Sequence, residues 1–155
     1  MELQEAENLA ISLMSEHTLI IQGWTFKFSN KKKSAGTCNY TRKTISLSRF
    51  LTPGATPDAV RNTILHEIAH ALTPGHGHDF VWLTKAREIG CNGKRCFSMS
   101  DQQDEALSKI APYKGVCKNG HEVYAFRKPK RVSSCSRCCP RFNPEFIISY
   151  SANAA

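Results

Sequence analysis

The stretch HEIAHALTPGHGH, residues 66–78, holds four of the six histidines of the chain and one glutamate. Imidazoles at i and i+4 of a helix lie one above the other, so His66 and His70 can grip one Zn²⁺ tetrahedrally. Glu67, next to the first of them, can reach a metal-bound water without ligating the metal. Hydrolytic zinc takes three protein ligands and keeps one position open for water. The third ligand has to come from His76, His78 or Asp79. Gly75 and Gly77 flank His76 and let the chain reverse and aim that ring back at the helix, which favours His76. Asp79 suits the N-cap of a following helix, and His78, beside that cap, is the alternative third ligand.

A second constellation lies downstream. Cys117, His121, Cys135 and Cys138 form a C-x3-H…C-x2-C set with no spare position, the composition of a closed structural zinc site. Cys139 is a possible substitute for Cys138, although a C-x2-C loop wraps one ion better than adjacent cysteines do. Cys38 reads as a small buried hydrophobe within a strand, and Cys91 and Cys96 as free thiols. Seven cysteines, three of them in CSRCC, point to metal rather than disulfides in a reducing compartment.

Local elements must carry these groups. Thr56, Pro57 and Asp58 mark a helix start: N-cap, first helical residue and an acid favoured by the helix dipole. Ile64, Leu65, Ile68, Ala71 and Leu72 then fall on one face and His66 and His70 on the other, until Thr73-Pro74-Gly75 stops the helix near residue 72. A further helix is expected from about Asp79 to Gly90, and an amphipathic one over residues 2–16. WTFKFS alternates as a half-buried strand, and TCNY and TISLS form two more strands joined around Thr41–Lys43, together a small antiparallel meander.

With 155 residues, the chain has room for one domain and a small appendage. The expected division is a catalytic domain at 1–108, a basic zinc-ribbon-like module at 109–148 and a tail at 149–155. No apolar run reaches the ~18–20 residues of a membrane span. The acidic, amphipathic start lacks signal-peptide features, so a cytoplasmic, bacterial or phage-encoded protein is expected, nucleoid-associated if DNA-bound, with a monomer favoured. The net charge of +8 is concentrated: residues 109–142 hold nine Lys or Arg and one acid, Glu122. Lys114, Lys118, Arg127, Lys128, Lys130, Arg131, Arg137 and Arg141, interleaved with Tyr113, Tyr124 and Phe126, suit phosphates and bases of single-stranded DNA. A solvated basic face would look the same, with the aromatics forming the core of the module.

HEIAH, a short loop and then H-G-x-[D/E]-F, preceded by AGTCNYTRKTISLS and followed by a Cys-rich module, resembles the SprT-like family of zinc metalloproteases. The likeness covers nearly all of residues 3–148. It implies an α+β, zincin-like minimal metalloprotease domain, with a small antiparallel sheet packed on the active-site helix and a C-terminal zinc-binding β module. It also implies one catalytic and one structural zinc, His76 as third ligand, Glu67 as general base, and cleavage of proteins bound or crosslinked to DNA. Many relatives carry four cysteines where this chain has His121. The spacing of His66, His70 and His76 also equals that of metzincins, but Thr73 stands where those require glycine. Two other readings stay open: a non-enzymatic zinc-dependent nucleic-acid binder, and a zinc protease with a dedicated protein target independent of DNA.

Overall fold

The computed structural model describes residues 1–94, 108 and 110–153, in two units, Met1–Gln103 and Asp104–Ala155. Cys96 lies outside the described residues. The elements of the first unit are α1 (Leu3–Glu16), β1 (Thr25–Ser29), β2 (Gly36–Asn39), β3 (Thr44–Ser48), α2 (Pro57–Leu72) and α3 (Phe80–Glu88). The α+β class is as expected. Among the described residues no helix is long and apolar enough to cross a membrane.

Helix α2 starts where its capping residues dictate: the Thr56 hydroxyl accepts the Ala59 N–H at 3.2 Å, and Pro57 and Asp58 occupy the first turn. Its apolar face buries Val60, Ile64, Leu65 and Ile68 against Ala6, Ala10, Leu13 and Met14 of α1 and Ile45 and Leu47 of β3. At about 1.5–3 kcal/mol for each large side chain, this face holds the helix in place and leaves His66 and His70 on the other side.

The sheet departs from a simple meander. Its order is β1-β3-β2; β2 and β3 form the expected antiparallel hairpin, but β1 runs parallel to β3. Residues 30–35 carry the chain past the central position to the far edge, and β3 folds back between the two. Phe26, Phe28, Ile45 and Leu47 share the face turned to the helices, with Cys38 opposite Ile45 and Gly36 opposite Leu47. The arrangement leaves β2 as an edge strand beside α2.

The second unit is a three-stranded antiparallel sheet of β4 (Tyr113–Val116), β5 (Glu122–Ala125) and β6 (Ser149–Ala152), ordered β5-β4-β6. Residues 149–152, expected as part of a tail, instead pair along β4. Ile148 and Tyr150 pack there against Cys117, Cys135 and Cys138, which gives this poorly apolar unit the greater part of its core.

Candidate active site

His66 and His70 stand one turn apart on α2, and a third imidazole joins them from the loop before α3. It belongs to His78. The His78 Nε2 lies 3.0 Å from His66 Nε2 and 3.1 Å from His70 Nε2. Tetrahedral zinc with Zn–N bonds of about 2.0–2.1 Å needs ligand atoms roughly 3.3 Å apart, so a small outward shift would admit the ion.

His76, the favoured third member from the sequence, is placed elsewhere. Gly75 takes φ +83°, a left-handed turn that glycine adopts without strain. The chain thereby leaves α2 with His76 directed along the loop, its Nδ1 2.8 Å from Asp79 Oδ2. Asp79 is the expected N-cap of α3, accepting the Trp82 N–H at 3.0 Å. That hydrogen bond and the one from His76 hold the Asp79 carboxyl below its usual range. The short tether between Gly77 and this cap swings His78, not His76, over the helix.

Trp82 underlies all three rings, its indole 4.7, 5.2 and 4.6 Å from the centroids of His66, His70 and His78. The indole is 1% exposed, and its Nε1 has no acceptor among the described residues. The indole forms an aromatic floor beneath the three imidazoles. Burial, together with the neighbouring His70 and His78, lowers the His66 pKa to about 4. His70 is lowered for the same first reason. Both shifts favour the neutral ring, the form that ligates metal.

Glu67 is 7% exposed. Burial raises its carboxyl to about 7, partly opposed by a hydrogen bond from the Cys38 backbone N–H and by the charge of Lys31. A carboxyl pushed into this range is matched to proton transfer near neutrality. Cys38, expected as a buried hydrophobe, is only half-buried in the cleft wall. Burial and then the nearby Glu67 push its thiol up to about 12, so it stays protonated and is a poor nucleophile.

The cleft encloses about 930 Å³ between β2, α2 and the histidine loop, and Gly36, Cys38, Tyr40, Asn62, His66 and Glu67 are among its walls. Gly36 is a contributor that was not singled out from the sequence. A Cβ there would lie 2.8 Å from Glu67 Oε1 and 2.9 Å from both Glu67 Cγ and Thr63 Cγ2. Only glycine lets the strand come this close to the carboxylate. Gly36→Ala is expected to displace Glu67, lowering kcat about 10–100-fold and stability by about 1–3 kcal/mol, with metal content unchanged. Steady-state kinetics, thermal unfolding and metal analysis of one preparation check this. The available signal was the period-2 spacing of Gly36 and Cys38, which sets both on one face of β2, with Tyr40 just past its end.

In the second unit, Cys117, His121, Cys135 and Cys138 bring their ligand atoms together. Cys117 Sγ is 3.7 Å from Cys138 Sγ and from His121 Nδ1; His121 Nδ1 is 3.2 Å from Cys138 Sγ and 3.5 Å from Cys135 Sγ. These are near the tetrahedral edges of about 3.3–3.8 Å expected from Zn–N and Zn–S bonds. The N–H groups of Cys138 and Cys139 both turn back to the Cys135 carbonyl. This tight turn presents the Cys138 sulfur to the cluster and leaves Cys139 out of it.

Of the basic residues expected to face DNA, Lys114 pairs with Glu122 and Lys118 with Glu145 at 2.9 Å. Arg127, Lys128, Lys130, Arg131, Arg137 and Arg141 are exposed. Tyr113, Tyr124 and Phe126 are half-buried and stand outside the apolar cluster around Cys117, Cys135 and Ile148. Phe142, outside the expected set, is 63% exposed beside Arg141.

Three convergent imidazoles and a buried carboxyl on an H-E-x-x-H helix, open to a cleft, define a zinc metalloprotease. The SprT-like family model matches residues 9–102, and the chain belongs to that family. Its structure is similar to that of the metallopeptidase zymogen of Methanocaldococcus jannaschii jannalysin, with a TM-score of 0.46 and 18% identity, covering 68% of this chain and 92% of that one. No curated protein matches in sequence.

Proposed function

We propose that this chain is a DNA-associated endopeptidase with one catalytic and one structural zinc, acting on proteins bound or crosslinked to DNA. His66, His70 and His78 would hold the catalytic ion, and Cys117, His121, Cys135 and Cys138 the structural one. The convergence of the three imidazole nitrogens beside the buried Glu67 carboxyl carries the catalytic assignment, because a structural site has no use for either an open position or a base.

Held by His66, His70 and His78, a zinc ion would supply Lewis acidity toward the scissile carbonyl and the attacking water. Glu67 takes the proton of the attacking water and delivers it to the leaving amine. The Cys38 N–H holds the carboxylate in register for both transfers, and the Trp82 floor keeps solvent from beneath the rings. The cleft along β2 accommodates an extended polypeptide, with side chains standing alternately toward and away from α2.

The DNA association rests on the charge of the second unit. Six exposed Arg and Lys cluster in two stretches, 127–131 and 137–141, around a zinc-ligand set that would order them. Phe142 adds an exposed aromatic face of the kind on which unpaired bases stack. Single-stranded DNA is expected to bind with an affinity that falls steeply with salt and to accelerate cleavage of a DNA-bound protein. Replacing Arg127, Lys128, Lys130 and Arg131 by serine is expected to flatten the log–log salt slope by roughly 0.7 for each phosphate no longer neutralised. Unchanged slope and DNA-independent cleavage would remove DNA from the reading and favour a dedicated protein target.

A further inference from the structure

We propose that Tyr40 is a further catalytic residue, donating its hydroxyl hydrogen bond to the oxyanion that develops on the scissile carbonyl; this rests on the protease reading above. Water attack makes a C–O bond and moves the carbonyl π pair onto oxygen, while the proton goes to Glu67. Collapse restores the carbonyl, breaks the C–N bond and returns that proton to the amine. The negative oxygen exists only between the two steps, so a donor already in place stabilises the barrier selectively.

Tyr40 follows the last residue of edge strand β2 and lines the same cleft as His66, Glu67, His70 and His78. Its ring is 39% exposed, within reach of a polypeptide lying there. Trp24, itself 7% exposed, meets that ring edge-on at 6.2 Å and 77° and fixes its position. The hydroxyl donates at 2.6 Å to the carbonyl of His70, at the end of the helix that carries two of the imidazoles.

That carbonyl also accepts the Thr73 N–H at 3.0 Å. The tyrosine hydroxyl can therefore turn to a substrate oxygen while that carbonyl keeps a backbone partner. Among the described residues, the other hydroxyls of the cleft are committed to the frame. Ser34 closes its own turn on Gly36 O, Thr37 pairs with Ser46, and Thr63 bonds back to Ala59 O on its own helix.

Tyr40→Phe deletes the hydroxyl and keeps the ring against Trp24. Metal content and Tm are expected to match the parent, KM to stay within about twofold, and kcat to fall about 10²-fold, the usual loss for one oxyanion donor. A phosphinic peptide, whose tetrahedral anion copies the transition state, is expected to bind Tyr40→Phe about 10²-fold more weakly. The matching amide peptide, titrated into the Glu67→Gln background, should bind equally with either residue at 40. Parent-like kcat overturns the proposal. So does an equal loss for both peptides, which marks a binding role, or a loss of metal or Tm, which marks a strut between β2 and α2. A parent that neither cleaves nor binds the phosphinate overturns the protease reading and the Tyr40 assignment together.

Discussion

Glu67→Gln is expected to reduce turnover by about 10³-fold or more while both zinc ions stay bound, since general acid–base catalysis contributes roughly 10²–10⁴-fold. The geometry makes this substitution unusually clean. Glu67 belongs to neither convergent ligand set, so the substitution leaves every ligand in place. The glutamine carbonyl can still accept the Cys38 N–H that now steadies the carboxylate. Burial already disfavours the charged form and raises its pKa to about 7, so a neutral amide is tolerated there at least as well. The change therefore removes a proton acceptor and little else. Metal analysis, Tm and cleavage of one substrate by parent and variant form the test, and a variant retaining more than a tenth of parental kcat would sink the assignment.

The second large effect separates two histidines that lie two residues apart. His78→Ala is expected to empty the catalytic site, leaving about one zinc per chain after dialysis against a mild chelator. Two imidazoles hold the ion far more weakly than three, and even loss of an outer partner of a ligand costs 10–100-fold in affinity. His76→Ala is expected to keep two zinc ions and near-parental activity. Among the described residues it gives up the hydrogen bond to Asp79, whose cap on Trp82 N–H is independent of it. Cobalt substitution gives a second readout: the visible bands of a tetrahedral His-ligated Co²⁺ should vanish in His78→Ala and persist in His76→Ala. The opposite pattern would restore His76 as the ligand that the family resemblance implied.

The contrast between these histidines shows what kind of information local sequence carries. Two glycines around His76 spoke for a tight reversal, and the reversal is there: Gly75 adopts φ +83°. Which ring it presents depends on where α3 begins and how Asp79 caps it, and that start is set by Trp82 seating itself beneath the site. The second unit repeats the point. The grouping of Cys117, His121, Cys135 and Cys138 was readable from spacing, whereas a strand at 149–152 was not. SYSA is short and polar and becomes a strand only because β4 offers it an open edge.

By itself, the sequence determined whatever depends on periodicity and on residue chemistry within a turn or two. That includes α2 with its cap, its buried face and its His66–Glu67–His70 face, the Cys/His quartet, and the concentration of positive charge downstream. Tertiary structure alone decided the contacts between segments distant along the chain. The passage of residues 30–35 to the far edge made β1 parallel to β3 and left β2 against α2. That docking set Gly36 against Glu67, the Cys38 N–H on its carboxylate and the Tyr40 hydroxyl on the His70 carbonyl. No local pattern encodes these meetings, because each depends on which strand edge is left unpaired when the apolar faces of the sheet and helices close on one another.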